Sequence, residues 1–224
     1  MPPKNINKRF LKKLLAKDGP VILEVGAHVG VDSVGFLDTF PACRLFCFEP
    51  DPRNVEIHRE CVCDERCVLV SFAVSNTDGE TTLYLSTSDY TRSKKIGSSI
   101  RKIRATAAST IKEPNRRLRK KRYPNIRFEE TIVVPTIRLD TWFATSGLDM
   151  IDLIWADVQG AEGDLIDGGR TALSKTRFLY TEFSKKRLHK GQVCFNGIMK
   201  RLHDFDLLAV YGTNALLKNK SIRV

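Results

Sequence analysis

The stretch from Val21 to Phe40 constrains the fold more than any other part of the chain. VILEV at Val21–Val25 is a short apolar run with β-branched residues, the pattern of a strand buried on both faces of a parallel sheet. It runs straight into a glycine-bearing turn, Gly26–Gly30, and then into a helical pattern over Asp32–Phe40. Asp32 or Ser33 is the expected N-cap, and Pro41 stands just past the end. Strand, glycine turn and helix form the opening unit of an α/β domain. With 224 residues, the chain suits one such domain over 1–224 and is short for two.

The rest of the sequence repeats the alternation. RLFCF at Arg44–Phe48 reads as a second buried strand, Asn54–Val62 as a helix and Val68–Val74 as a third strand. Asn76–Gly79 is a turn, and Thr81–Leu85 returns as a strand. Later strands are expected at Thr131–Arg138, Asp152–Ala156 and Phe178–Thr181. Helical turns are expected at Leu139–Ala144, from about Glu162, and at Phe195–Phe205. Leu207–Tyr211 and Ala215–Lys218 form a closing hairpin around Gly212, Thr213 and Asn214. Such an order predicts a doubly wound, mostly parallel sheet with an antiparallel edge.

In an open α/β sheet, ligands bind at the carboxyl ends of the strands. Here those ends carry Glu24 to Gly30, Glu49, Asp157 and Glu182. Gly26 and Gly30 let the backbone approach a ligand, and the helix that follows offers free N–H groups. A dinucleotide site would need a further glycine, but Ala27, His28 and Val29 lie between these two. A smaller cofactor therefore fits better. Glu49 follows Glu24 by 25 residues, and a carboxylate there can accept both hydroxyls of a ribose.

Charge is unevenly distributed. The formal net charge is +11, yet Arg92–Arg127 alone holds 14 Lys and Arg against Glu113, a net +13 that leaves −2 for the remainder. A nearly neutral core thus carries a basic insertion over residues 86–130. Within it, Asp89–Ser99 reads as a mobile loop and Ile100–Lys121 as a helix interrupted by Pro114. The first 20 residues form a basic arm. In it, Lys8–Lys17 is an amphipathic helix with Phe10, Leu11, Leu14 and Leu15 on its apolar face. No secretory leader and no membrane-length apolar run are apparent, so a cytoplasmic chain with reduced cysteines is expected. Cys61, Cys63 and Cys67 lack the paired spacing of a zinc site and are expected to be buried thiols.

Five segments in fixed order carry a family resemblance. They are EVGAHVG at Glu24–Gly30, CFEP at Cys47–Pro50, FAVSNTDGETTLYL at Phe72–Leu85, IRLDTW at Ile137–Trp142 and DLIWADVQGAE at Asp152–Glu162. Together they resemble the FkbM family of methyltransferases. In the last block Trp155 stands where the family usually has Lys, and Gln159 where it usually has Glu. The resemblance implies a Rossmann-like class I methyltransferase fold with a seven-stranded sheet. It also implies S-adenosylmethionine as donor, S-adenosylhomocysteine as product, and O-methylation of a sugar, glycan or related natural product.

Carried over by position, Glu24, Gly26, Ala27, His28, Gly30 and Ser33 would shape the methionine pocket. Glu49 with Pro50 would serve the ribose, Asn54 would lie near the adenosine, and Ala73 and Val74 would flank the adenine. Asp157 would sit beside the transferring methyl. An acceptor hydroxyl must lose its proton to a base or a metal. Asp157, Glu162, Glu182 and His189 are the catalytic candidates. No metal ligand set is expected, although Asp157, Glu162 and Glu182 are the residues a divalent ion would use. The basic insertion reads as a substrate lid using Ser98, Ser99 and Arg101. Alternatives are a nucleic-acid contact through Arg116–Arg122 with Tyr123 and Phe128, in an RNA or DNA methyltransferase, and a solvated or membrane-facing insertion. A third class is a cofactor-binding module without catalysis.

Overall fold

The computed structural model of the chain describes residues 6–88, 91–104, 106–115 and 124–222. Among these, a seven-stranded sheet forms the centre. Its strands are β1 (Val21–Val25), β2 (Arg44–Phe48), β3 (Cys67–Val70), β9 (Ile151–Ala156), β10 (Thr176–Glu182), β11 (Phe205–Tyr211) and β12 (Asn214–Asn219). The spatial order is β11-β12-β10-β9-β1-β2-β3. All pairings are parallel except those of β12, which runs antiparallel to both β10 and β11. Strand order reverses between β1 and β9, and the crevice at such a switch point is where open sheets bind ligands.

The central strands of the sheet are buried on both faces, which is why they read as continuous apolar runs. Leu23 and Val25 join one core cluster with Ile154 and Leu179, while Ile22 joins the opposite one with Leu45, Leu153 and Phe178. Helices α1 (Lys8–Leu15), α2 (Val31–Thr39) and α3 (Pro52–Cys61) belong to the first half of the chain. The second half adds α4 (Leu139–Thr145), α5 (Glu162–Asp167), α6 (Arg170–Ser174) and α7 (Phe195–Arg201). The expected apolar face of α1 packs as read: Leu11 and Leu15 are buried in the second cluster, with Phe10 and Leu14 against it. Asp152, buried on β9, ties this region together. It accepts from Lys17 Nζ, the Val21 N–H and Arg177 Nη1, each at 2.9 Å.

Several elements differ from the sequence reading. The third strand is broken: β3 ends at Val70, the chain bends at Ser71 and Phe72, and β4 (Ala73–Ser75) joins a second sheet. That sheet has the order β4-β8-β5, with β5 at Gly79–Thr87 and β8 at Arg127–Arg138. Helix α2 takes neither Asp32 nor Ser33 as its cap. It starts from Gly30 at φ +86 with no side-chain cap, because the Ser33 hydroxyl points inward to Glu24. Helix α7 stops at Arg201, and the next strand begins earlier than expected, at Phe205.

The largest correction concerns the insertion. Residues read as a mobile loop and a helix instead form an antiparallel hairpin, β6 (Thr91–Ile96) with β7 (Ser99–Arg104), turning at Gly97 and Ser98. Ile96 is buried beside Val29 and anchors the hairpin. The nucleic-acid reading at Arg116–Arg122 and Tyr123 lies outside the described residues, as do the side chains of Ser99 and Arg101.

Candidate active site

The turn after β1 is zipped to its neighbours by the backbone. Gly26 N and Ala27 N donate to the Phe48 carbonyl at 2.9 and 3.0 Å, and Asp157 N donates to the Val25 carbonyl at 2.9 Å. Gly26 adopts φ +90, and a Cβ there would stand 2.1 Å from the Asp157 carbonyl oxygen. Only glycine lets the three loops meet. They open onto a cavity of about 310 Å³. Its walls include Glu24, Gly26, Ala27, His28, Glu49, Pro50, Asn54, Ala73, Val74 and Asp157. Two residues expected at the cofactor, Gly30 and Ser33, stand behind this wall.

Glu49 is the organised acid of the cavity. Its Oε2 accepts from the His28 N–H at 2.8 Å; its Oε1 accepts from the Asp51 N–H at 2.9 Å and Asn54 Nδ2 at 3.2 Å. Burial pushes its carboxyl up to about 7 against the pull of these donors. Asn54 therefore acts first on Glu49. His28 sits at φ +52, and its Nε2 lies 2.8 Å from Thr106 Oγ1, so it shapes the loop as well as lining the cavity.

Behind the turn lies a buried polar group. Ser33 Oγ donates to Glu24 Oε2 at 2.6 Å and lies 3.0 Å from His58 Nε2. Cys47 Sγ reaches Glu24 Oε2 at 3.4 Å and Cys67 Sγ at 3.6 Å. Burial raises Glu24 to about 8 and lowers His58 to about 4, so near neutrality both are mainly uncharged. Among the described residues, Cys47, His58 and Cys67 are the group whose ligand atoms approach one another closely enough for one ion. The Ser33 hydroxyl lies against two of them, 3.5 Å from Cys47 Sγ and 3.0 Å from His58 Nε2. Asp157, Glu162 and Glu182 do not gather so closely, and Cys63, expected to be buried, is exposed.

At the far end of the cavity, the chain turns sharply after β9. Gln159 adopts φ +51 and Gly160 φ +102. The Gln159 amide donates to Asp157 Oδ1 at 2.7 Å and to Glu182 Oε2 at 3.2 Å. Gln159 also lines a second, smaller cleft of about 30 Å³, together with Glu162, Glu182 and His189, a space on the scale of a bound water. Glu162 is buried and pushed up to about 7 by desolvation. Its Oε1 accepts from the Gly160 N–H at 3.1 Å. His189 is buried over Gly160, where a Cβ would come within 2.5 Å of His189 Nδ1. The four catalytic candidates thus divide: Asp157 faces the large cavity, while Glu162, Glu182 and His189 face the small cleft.

Three features escaped the sequence reading. Gln159 bridges two candidate acids; its signals were a Gln where the resemblance leads one to expect Glu and a place before glycine in a tight turn. Trp155 and Tyr180 stack at 3.9 Å on the cavity wall, an arrangement set by β9–β10 pairing. Finally, the inner part of the insertion forms one wall of the large cavity through Thr106, Ala107, Ser109, Thr110 and Ile111. Thr110 Oγ1 donates to the Gln159 carbonyl at 2.9 Å, and Ser109 Oγ to Asp51 Oδ2 at 2.8 Å.

Residues 24–208 match the Methyltransferase FkbM domain. The 2-O-methyltransferase NoeI of Sinorhizobium fredii is 39% identical over 204 residues, which cover 91% of this chain and 79% of that protein. Among solved structures, a 16S rRNA (adenine(1408)-N(1))-methyltransferase from Catenulisporales acidiphilia aligns with a TM-score of 0.40 at 11% identity, over 96% of this chain and 90% of that one.

Proposed function

This chain belongs to the FkbM family of methyltransferases, and from that premise we propose that its acceptor is a hydroxyl group of a sugar or glycan. It is an S-adenosylmethionine-dependent methyltransferase. The residues suit that donor. Gly26 forms a cradle that any Cβ would fill, and Glu49 stands beside it, fixed through both oxygens. When bound, the donor supplies a methyl group on an electrophilic sulfonium.

The chain's own residues orient and deprotonate. Glu49 accepts the ribose hydroxyls, and Ala73 and Val74 offer an apolar wall to the base. Asp157 faces the incoming acceptor. Its Oδ1 is engaged by Gln159, and Oδ2 is the oxygen assigned to the acceptor proton. Alignment does much of the remaining work, since displacement at a methyl group requires an in-line approach. Glu182 shares the Gln159 amide, and Glu162 and His189 stand one step behind, in the small cleft.

The observation that carries this reading is the placement of Asp157 on the wall of the donor cavity, with a second acid tied to it. The stacked Trp155–Tyr180 pair supports a ring-shaped acceptor, because an aromatic face with a few convergent polar groups suits a hydroxylated ring. The name of the relative NoeI, a 2-O-methyltransferase, supports oxygen as the accepting atom. The test is transfer of radiolabelled methyl from S-adenosylmethionine to carbohydrate and RNA pools offered separately. Label is expected on carbohydrate; label on RNA alone overturns the reading.

A further inference from the structure

We propose that Gln159 is a positioning residue: its side-chain amide clamps Asp157 and Glu182 into one paired carboxylate site at the acceptor end of the cavity. The inference rests on the proposed function for what that pair does.

A primary amide has two N–H donors on one nitrogen. Here that nitrogen lies 2.7 Å from Asp157 Oδ1 and 3.2 Å from Glu182 Oε2, one hydrogen for each acid. Two carboxylates held this close repel. A donor placed between them offsets that repulsion and fixes their orientation. An amide keeps both hydrogens at every working pH, whereas a Glu in the same place would add a third negative charge.

The backbone is arranged to put the amide there. Gln159 adopts φ +51, a left-handed conformation uncommon for residues other than glycine and concentrated at functional sites. Its carbonyl is held by Thr110 Oγ1 at 2.9 Å. The next residue, Gly160, continues at φ +102 and donates its N–H to Glu162 Oε1. Contacts from the insertion on one side and from α5 on the other therefore hold the strained residue in place.

Among the described residues, the titratable groups near the pair include Glu162 from α5, His189 from the loop before α7, Tyr180 from β10, Tyr211 from β11 and Asp32 from α2. All remain when Gln159 alone is changed. A difference between wild type and variant then reports the clamp.

Gln159→Met keeps the length and removes the donors. Its expected signature is a kcat about tenfold or more below wild type, with donor affinity within about threefold by calorimetry. Without the amide, one acid of the pair holds its proton longer, so the acid limb of the pH–rate profile moves up by about one pH unit. Gln159→Glu is expected to lose most activity at alkaline pH and to recover part of it toward acid, where its protonated form donates one hydrogen. Variants with wild-type kcat and an unchanged pH profile overturn the proposal. If Gln159→Met does not fold, the pH profile of Gln159→Glu decides alone. Failure of the functional reading looks different: the wild type methylates no hydroxylated acceptor. The clamp is then decided by carboxyl-carbon NMR, in which the Asp157 and Glu182 signals titrate at higher pH once the amide is removed. An unchanged titration overturns it.

Discussion

Burial pushes three carboxyls well above their ordinary value: Glu24 to about 8, Glu49 to about 7 and Glu162 to about 7. In each case desolvation outweighs the surrounding donors. A carboxyl raised in the folded state keeps its proton after the unfolded chain has lost it, so the native state binds more protons. The stability that these groups contribute is therefore greatest at low pH and falls as pH rises from about 4.5 toward 8. Glu24→Gln removes one such group while keeping its shape and its partners Ser33 and Cys47. The variant should show a flatter decline of Tm between about pH 5 and 8; a decline as steep as wild type contradicts the assignment. Glu49 has the opposite consequence for binding. Under the proposed function it would accept two ribose hydroxyls fully only when ionised, so donor affinity should rise as pH rises through about 7. Glu49→Gln should weaken the donor by roughly ten- to a hundredfold, the range for losing hydrogen bonds to a charged acceptor. Calorimetry across pH checks both. The turn after β1 and the acid at the end of β2 were legible residue by residue, because Gly26 and Glu49 announce themselves by type and position, and both line the large cavity. Gln159 was not: its role depends on a left-handed backbone angle and on two acids from different strands, and neither is local in sequence.

At the level of elements, what could be read followed what must be buried. β1, β2, β9 and β10 are apolar runs because both sheet faces are covered, and the β11–β12 hairpin follows from Gly212 between two such runs. β6 and β7 pair with each other, and among the described side chains Ile96 is the one from them buried in a core cluster. Their sequences, TRSKKI and SIRKIR, carry no strict apolar alternation to detect. The break between β3 and β4 is also invisible to periodicity, since both pieces are apolar and only their partners differ. The inner insertion, Thr106–Asn115, is held to the loop before α7 and to α5. Lys190 N donates to the Glu113 carbonyl at 2.8 Å, Asn115 N to the Leu188 carbonyl at 2.9 Å, and Lys112 pairs with Asp164. Thr110→Val removes the hydroxyl that holds Gln159. That hydroxyl also accepts from the Lys112 N–H at 3.0 Å, so the change should cost about 2 kcal/mol of stability, at about 1 kcal/mol for each hydrogen bond lost. It should lower kcat more than donor affinity; the reverse order contradicts a role at the acceptor end.

At the scale of the whole molecule, the two halves of the sheet meet between β1 and β9, and that junction must be held if the cavity is to keep its shape. Asp152 secures it from below by joining Lys17, the start of β1 and Arg177 of β10. Burial raises the carboxyl of Asp152, but its hydrogen bonds and cations prevail and hold it below the usual range. Its stabilising contribution is therefore present above the ordinary carboxylate range and lost in acid. Asp152→Ala leaves Arg177 buried without its acid. The expected loss is about 3 kcal/mol, or a fall in Tm of roughly 6–12 °C for a chain of this size. Charge is arranged on the same scale, with a near-neutral core and a strongly basic insertion whose inner end walls the large cavity. The central claim is that this cavity delivers a methyl group to a carbohydrate hydroxyl beside Asp157. Its most direct measurement is the position of the transferred methyl on carbohydrate incubated with labelled S-adenosylmethionine and either wild type or Asp157→Asn. The expected result is an O-methyl ether with wild type, and a greatly reduced yield with the variant while donor binding persists. Label on nitrogen, or an undiminished yield of ether from the variant, contradicts the account.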